Sequence, residues 1–238
     1  MKILVDTHTH TNCSSHAYGT LKENIEAARE KGLELLCTTN HAPGLPDAPH
    51  LWHFGSLWSL PRESDGVKLM YGAECSILDT AGNLDLPTHA LEKMEIVIAS
   101  IHQPVYTPKT KDEHTLTYLN AVKNPYVDIL GHSGSTQFEY DHEPVIRLAK
   151  EYGKCVEINN HTFNARSSSV ENCIAIAKMC KKVGTKVVVA SDAHSPWAVG
   201  CFDKAAAMLQ DIGFPEELIM NTTASRFISY IECRRRGL

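Results

Sequence analysis

What this sequence does without narrows it first. No stretch approaches the roughly 20 consecutive apolar residues of a membrane span. No basic segment followed by an apolar run precedes the first strand-like residues, so neither a membrane nor an export route is indicated, and a cytoplasmic location is expected. No long block of one charge sign occurs either. With 23 Lys and Arg against 28 Asp and Glu the formal net charge is −5, which leaves no broad basic face for a phosphate backbone, and no nucleic-acid partner is expected. The eight cysteines form no CxxC pair, and several stand inside apolar segments such as Cys173 to Cys180. They read as buried reduced thiols, not as a disulfide framework or a thiolate metal site. Tandem repeats, low-complexity tracts and interdomain linkers are missing as well.

What is present is a chain of 238 residues, 43% hydrophobic and 21% charged, long enough to bury a sizeable core and expected to form one domain over 1–238. Short apolar runs rich in β-branched residues recur at Ile3 to Val5, Leu35 to Thr39, Val67 to Met70, Ile96 to Ser100, Val127 to Leu130, Cys155 to Ile158 and Lys186 to Ala190. Such runs suit strands buried on both faces. Helical spacing follows most of them, over Leu21 to Glu30, Thr88 to Glu92, His114 to Val122, Pro144 to Glu151, Val170 to Lys182 and Ala205 to Asp211, with a last helix from Ala224 to about Arg234. Gly32, Gly153 and Gly184 stand where left-handed helix ends are wanted, and Ser168 with Glu171 reads as a capping box. Strand alternating with helix, seven times over, predicts an α/β fold with a parallel sheet closed into a (βα)7 TIM-like barrel. The irregular stretches Ala42 to Asp65 and Gln103 to Lys111 then lie over its mouth.

The polar residues fall at the ends of those strands. The first runs into Asp6-Thr7-His8-Thr9-His10, the second into Asn40-His41, the third into Glu74 and the fourth into His102. The fifth ends at His132, the sixth at Glu157-Ile158-Asn159 and the seventh at Ser191-Asp192-Ala193-His194. In a parallel barrel these ends share one face, where barrel active sites lie. The His8-x-His10 spacing offers two imidazoles to one ion, and Asp192-x-His194 repeats it on a strand that closure makes a neighbour. Packing gives no reason for histidine at strand end after strand end. Imidazole with carboxylate suits zinc, iron or manganese better than magnesium or calcium. Eight candidates, His8, His10, His41, Glu74, His102, His132, Asp192 and His194, exceed one tetrahedral site, and Glu74 is suited to bridge two ions, so a multinuclear hydrolytic centre is expected.

These same segments, together with His16, Gly72-Ala73-Glu74, Gly131-His132 and the loop Asp47 to Phe54 with Pro61-Arg62, resemble the PHP (polymerase and histidinol phosphatase) family, and within it the YcdX-like phosphatases, over nearly the whole chain. The resemblance implies a distorted (βα)7 barrel holding three Zn2+ ions. It places one ion on His8, His10, Glu74 and Asp192, a second on His102 and His132 with Glu74 as bridge, and a third on His16, His41 and His194. Two positions depart from the family pattern: Asn40 stands where an aspartate is usual, and Ser133-Gly134 follows His132 where a proline is common. The implied activity is that of a phosphomonoesterase acting on a small phosphorylated metabolite through a metal-activated hydroxide. Glu74 and Asp192 are its expected catalytic side chains, joined by Arg166, which follows the sixth strand and either clamps the phosphate or is a surface arginine with no substrate role. The resemblance leaves a phosphodiesterase or exonuclease as the alternative, and a non-catalytic metal-binding module is the reading from another class.

Other residues draw weaker expectations. In the long loop after the second strand, Arg62 and His53 either line the mouth or are solvated loop residues, and Trp52, Phe54 and Trp58 either form a lid over a substrate or pack the loop against the barrel. Away from the ligand positions, His89, His114 and His142 read as helix-surface residues, and His50 and His161 as marginal candidates for substrate contact.

Overall fold

A computed structural model of the chain describes residues 1–236. Its strands are β1 (Val5–Thr9), β2 (Leu35–Thr38), β3 (Glu63–Ser64), β4 (Val67–Ser76), β5 (Ile96–Ser100), β6 (Ile129–Leu130), β7 (Cys155–Asn159) and β8 (Val187–Ala190). Seven of them pair in parallel in the order β1-β2-β4-β5-β6-β7-β8, while β3 turns back antiparallel on β4. That hairpin turns through Asp65 and Gly66, both at positive φ (51° and 80°), as a tight primed turn requires. The helices are α1 (Leu21–Glu30), α2 (Leu51–Gly55), α3 (Thr88–Leu91), α4 (Lys111–Lys123), α5 (His142–Glu151), α6 (Thr162–Ala165), α7 (Val170–Val183), α8 (Asp203–Asp211) and α9 (Ala224–Arg235).

The barrel is nearly closed. Between β1 and β8 the main chains meet in a bridge at Thr9 and Ala193, where His10 N donates to Ala193 O at 2.8 Å. Lower down the gap is filled by the Asn221 amide, which donates to Val5 O at 2.8 Å and Val189 O at 2.6 Å and accepts from Val189 N at 3.0 Å. One side chain thus makes the bonds that direct strand pairing would have made.

Side-chain alternation sorts the core in two. Residues such as Leu36, Tyr71, Val97, Leu130 and Val156 face outward and pack under the helices. Val5, Leu35, Cys37, Met70, Ile96, Ile98, Ile129, Cys155 and Val188 face inward at the lower end, where Phe227, Tyr230 and Ile231 of α9 plug the barrel. Above that apolar rung the same inward parity continues into Glu74, Glu157, Asn159 and Asp192, so a polar layer sits on an apolar floor.

Several expectations need correcting. β1 begins at Val5, so Asp6 to Thr9 lie within the strand and not after it. β4 runs on through Glu74 because Gly72 lets it press against β5: a Cβ there would fall 1.8 Å from Ile96 O. α4 starts at Lys111 under a Thr110–Glu113 capping box, while the expected box at Ser168 is absent and Ser169 caps α7 without a side-chain bond. Gly32, Gly153 and Gly184 do take positive φ past their helices. His114 is buried, with Nδ1 donating to Glu139 O and Nε2 accepting from Lys109 N. Every cysteine is a free thiol. No helix among the described residues is long and apolar enough to cross a membrane.

Candidate metal centre

The parity of β1 should send Thr7 and Thr9 inward with Val5, and His8 and His10 outward. A bulge reverses this: Asp6 pairs with Leu36 but Thr9 with Thr38, so β1 has one residue more than β2 over that interval. Past the bulge both histidines face the barrel axis, with ring centroids 5.0 Å apart. Asp6 anchors the bulge across the seam, accepting from Ser191 Oγ at 2.6 Å, Ser191 N at 3.2 Å and Gly200 N at 2.8 Å. On the opposite side of the seam, Asp192 sits at φ 54°, a left-handed conformation that costs a non-glycine residue of order 1 kcal/mol or more.

Glu74 stands at the centre. Its Oε1 lies 3.2 Å from His102 Nε2 and 2.8 Å from His132 Nε2, and its Oε2 lies 3.2 Å from His8 Nε2, 3.6 Å from His10 Nε2 and 2.8 Å from His41 Nδ1. Asp192 Oδ1 is 3.6 Å from His8 Nε2 and 3.4 Å from His10 Nε2. At the rim, His16 Nε2 and His194 Nε2 face each other at 2.9 Å. Three trios bring their ligand atoms within 4.8 Å of one another: His8, His10 and Glu74; His41, Glu74 and His102; His10, His41 and His194.

Partners behind the rings decide which nitrogen points inward. Glu157 Oε1 takes His8 Nδ1 at 2.7 Å, Ser76 Oγ meets His102 Nδ1 at 2.9 Å, and His194 Nδ1 bonds Asp192 O at 3.0 Å. Asp47 Oδ2 takes His16 Nδ1 at 2.5 Å. In all four the Nε2 is left for the centre, the usual arrangement of metal-bound imidazole. Glu157 also accepts the main-chain N–H of His132 at 2.7 Å, and Asn159 Nδ2 links Glu157 to Asp192.

Burial raises Glu74, and the charges of His8, His102 and His41 more than reverse it, holding the carboxyl well below its ordinary value. Burial pushes His8 down, yet Glu74, Glu157 and Asp192 lift it well above the usual histidine value. His10 is driven well below that value by burial and by His41. Glu74 is thus ionised and His10 neutral, the states that ligate metals, whereas His8 is held in its charged form by the carboxylates around it and gives up a proton to ligate.

The fit to metal is tested by what the protein itself fails to satisfy. No hydrogen bond of good geometry reaches the buried His8 Nε2, both nitrogens of His10, both nitrogens of His41 or Glu74 Oε2, although His41 Nδ1 and Glu74 Oε2 lie 2.8 Å apart. Each such atom costs about 1–3 kcal/mol. Their convergence, and their imidazole and carboxylate chemistry, fit a transition-metal ion as the missing partner.

Above the cluster opens a cleft of about 550 Å3, with Leu45, Ile101 and Phe138 on its apolar side and Arg166, Ser135 and Gln137 among its polar groups. Arg166 Nη2 reaches within 3.7 Å of Asp192 Oδ2. The departure at Asn40 has a visible consequence, since its Nδ2 points at His53 Nε2, 3.2 Å away, a bond an aspartate would not donate. Ser133, the other departure, bonds Tyr140 Oη at 3.0 Å. Arg62 lies away from the cleft, against Glu95 and the Tyr71 ring. Trp52 and Trp58 are about 80% exposed and neither lines the cleft above the cluster, whereas Phe54 is buried.

All nine sequence-derived ligand candidates therefore meet at one face. The sequence names Glu157 and Asn159 at the sixth strand's end without giving them their role behind the ligand rings. Asp47, in a proline-rich loop, carried no such signal.

Residues 6–168 match the PHP domain family. A protein named probable phosphatase from Thermoanaerobacter sp. (strain X514) is 46% identical over 240 residues, spanning 100% of this chain and 98% of that protein. Among solved structures, histidinol phosphate phosphatase from Lactococcus lactis subsp. lactis, complexed with zinc, L-histidinol and phosphate, superposes with a TM-score of 0.67 at 21% identity over 90% of this chain and 95% of that one. A chain of an archaeal ribonuclease P bound to mature tRNA superposes at 0.60 with 16% identity, over 97% and 90%. Both structural likenesses speak for the fold.

Proposed function

The chain belongs to the PHP domain family and is a phosphatase, and from that premise we propose that it hydrolyses a small phosphomonoester at a trinuclear zinc centre, acting as one catalytic domain. The observation that carries this reading is the set of buried, partnerless ligand atoms of His8, His10, His41 and Glu74 under a cleft of about 550 Å3. That volume suits a metabolite more than a polymer.

His8, His10, Glu74 and Asp192 would hold one ion, His102 and His132 a second shared with Glu74, and His16, His41 and His194 a third. Zinc is the preferred occupant, with iron or manganese compatible with the same donors. Bound there, the ions would supply an activated water and positive charge for the phosphoryl oxygens.

The protein's own side chains supply the rest. Arg166, partly exposed at the cleft and 3.7 Å from Asp192, would pair with phosphate oxygens and neutralise the charge that grows on them. Glu157 ties His8 to the His132 main chain and so keeps the ligands of two sites in register. The apolar wall of Leu45, Ile101 and Phe138 limits water around the ester and packs the leaving group.

The test is a substrate panel with a metal count. The purified protein should carry roughly two to three transition-metal equivalents, and should cleave p-nitrophenyl phosphate far faster than bis-p-nitrophenyl phosphate or single-stranded DNA. Less than about one equivalent would sink the multinuclear centre. Faster cleavage of the diester or the DNA would move the activity to a diesterase or nuclease, and silence on all three would leave a metal-binding module.

A further inference from the structure

At the rim of the centre, two nitrogen lone pairs confront each other. His194 Nδ1 sits 3.0 Å from the Asp192 carbonyl, which accepts only, so that nitrogen carries the proton and Nε2 carries a lone pair. His16 Nδ1 sits 2.5 Å from an Asp47 carboxylate oxygen, and the same reasoning leaves its Nε2 bare. The two Nε2 atoms are 2.9 Å apart. With both rings neutral, two acceptors at that distance repel unless a proton or a metal ion joins them.

His194 owes its state to its own main chain, but His16 owes it to a side chain from another loop. His16 lies between β1 and α1, is 48% exposed, and has no strand to fix it. Asp47 lies in the loop after β2, and its Oδ2 also accepts from His16 N and Ser15 Oγ, each at 3.2 Å. One oxygen therefore gathers the main chain, the ring and the preceding residue of the His16 turn. Ser15 N in turn donates to Asp47 O at 3.2 Å, so the two loops are clasped in both directions.

We propose that Asp47 is a positioning residue that makes His16 and His194 into a cation site, by fixing the His16 tautomer and tying its loop to the barrel. This rests on the trinuclear reading above and names what its outermost site depends on. Without the carboxylate, the His16 proton is free to move to Nε2 and bond His194 Nε2 directly. The ring pair then satisfies itself, and the ion loses two ligands together. The inner ligands do not share this dependence, because His8 and His102 are held by Glu157 and Ser76 inside the barrel.

Asp47→Asn tests this, since the amide can donate to Nδ1 and impose the other tautomer; Asp47→Glu, which restores a carboxylate, and Asp47→Ala serve as companions. Zinc titration of the chelator-stripped protein should give three equivalents for the wild type. Asp47→Asn and Asp47→Ala should retain two at wild-type affinity and bind the third about 10- to 100-fold more weakly, with Asp47→Glu recovering part of the loss. Nitrogen-15 NMR of the stripped proteins should find the His16 proton on Nδ1 in the wild type and on Nε2 in Asp47→Asn, a change that general loosening of the loop would not produce. Three equivalents with unchanged affinity in Asp47→Asn and Asp47→Ala, or an unmoved tautomer in Asp47→Asn, would overturn the role of Asp47 alone. Fewer than three equivalents in the wild type would overturn the trinuclear reading and this inference with it.

Discussion

Asp128 below the barrel and Glu74 above it are both fully buried carboxylates set among basic side chains. At Asp128 the bonds are made. Oδ2 accepts from Val97 N at 2.8 Å and Arg235 Nη2 at 2.5 Å, Oδ1 accepts from Arg234 and Arg235, and Lys154 nearby spends its Nζ on the carbonyls of Asn124, Pro125 and Val127. Tyr230 of α9 adds a bond to the Asp128 carbonyl at 3.1 Å. Arg234 Nη2 is the partnerless side-chain atom of that end among the described residues, against six around Glu74. Burial and charge are alike at the two poles. They differ in whether the chain completes its own network, and an incomplete network is what marks a ligand site.

The largest expected effect comes from removing the incomplete pole's central charge. Glu74→Gln should cut kcat/KM at least about a thousandfold, or about 4 kcal/mol of barrier, and lower the metal content, while the melting temperature of the zinc-free protein shifts by no more than a few degrees. Metal analysis, p-nitrophenyl phosphate turnover and calorimetry check the three parts. Wild-type turnover in this variant would remove Glu74 from the centre. A collapse of zinc-free stability would instead make Glu74 a structural carboxylate of the Asp128 kind.

The completed pole should answer in the opposite sense. Asp128→Asn leaves the half-buried Arg234 and Arg235 without their buried counter-charge, a loss of about 3 kcal/mol, which in a chain of this size lowers the melting temperature by about 10 °C. Metal content and kcat should stay at wild-type values. Should kcat fall while stability holds, the lower cluster would be coupled to the reaction and the contrast between the poles would fail.

How far the sequence reveals these poles follows from what each is made of. The upper ligands are legible because histidine is rare in buried strands and the strand ends repeat it: His41, His102 and His132 mark their loops without knowledge of the fold. The unbroken apolar run of Ile96, Val97, Ile98 and Ala99 likewise declares a strand buried on both sides. The bulge that turns His8 and His10 inward is not legible, since it is a difference in count between two strands 28 residues apart, as the bond from Thr9 Oγ1 to Cys37 O measures. Asn221 is equally silent, because a single amide replaces a strand pairing only once β1 and β8 approach. Asp128, Lys154, Arg234 and Arg235 look like ordinary surface charges in sequence. Only the docking of α9 under the barrel turns them into a buried network.

The smallest expected effect sharpens the comparison by titration. Burial, reinforced by Arg234 and Arg235 and opposed by Asp128, holds Lys154 down at about 7 against an ordinary 10.5. Between those values the unfolded chain binds the proton that the folded chain has released, so stability rises with pH through that window. Below about 7 the ammonium is charged in both states and its cost is complete. Lys154→Met removes the titrating group, so the wild type should gain on the variant by about 1–2 kcal/mol between about pH 7 and pH 9. Urea unfolding of the two zinc-free proteins at both pH values gives that difference directly, and subtracting one protein from the other cancels the titrations they share, including those of the histidines above. A wild-type advantage that stays flat or shrinks over the interval would mean that Lys154 is charged at ordinary cost. Lys154 would then contribute to the lower network through its carbonyl bonds and take no part in the balance of buried charge between Asp128 and the two arginines.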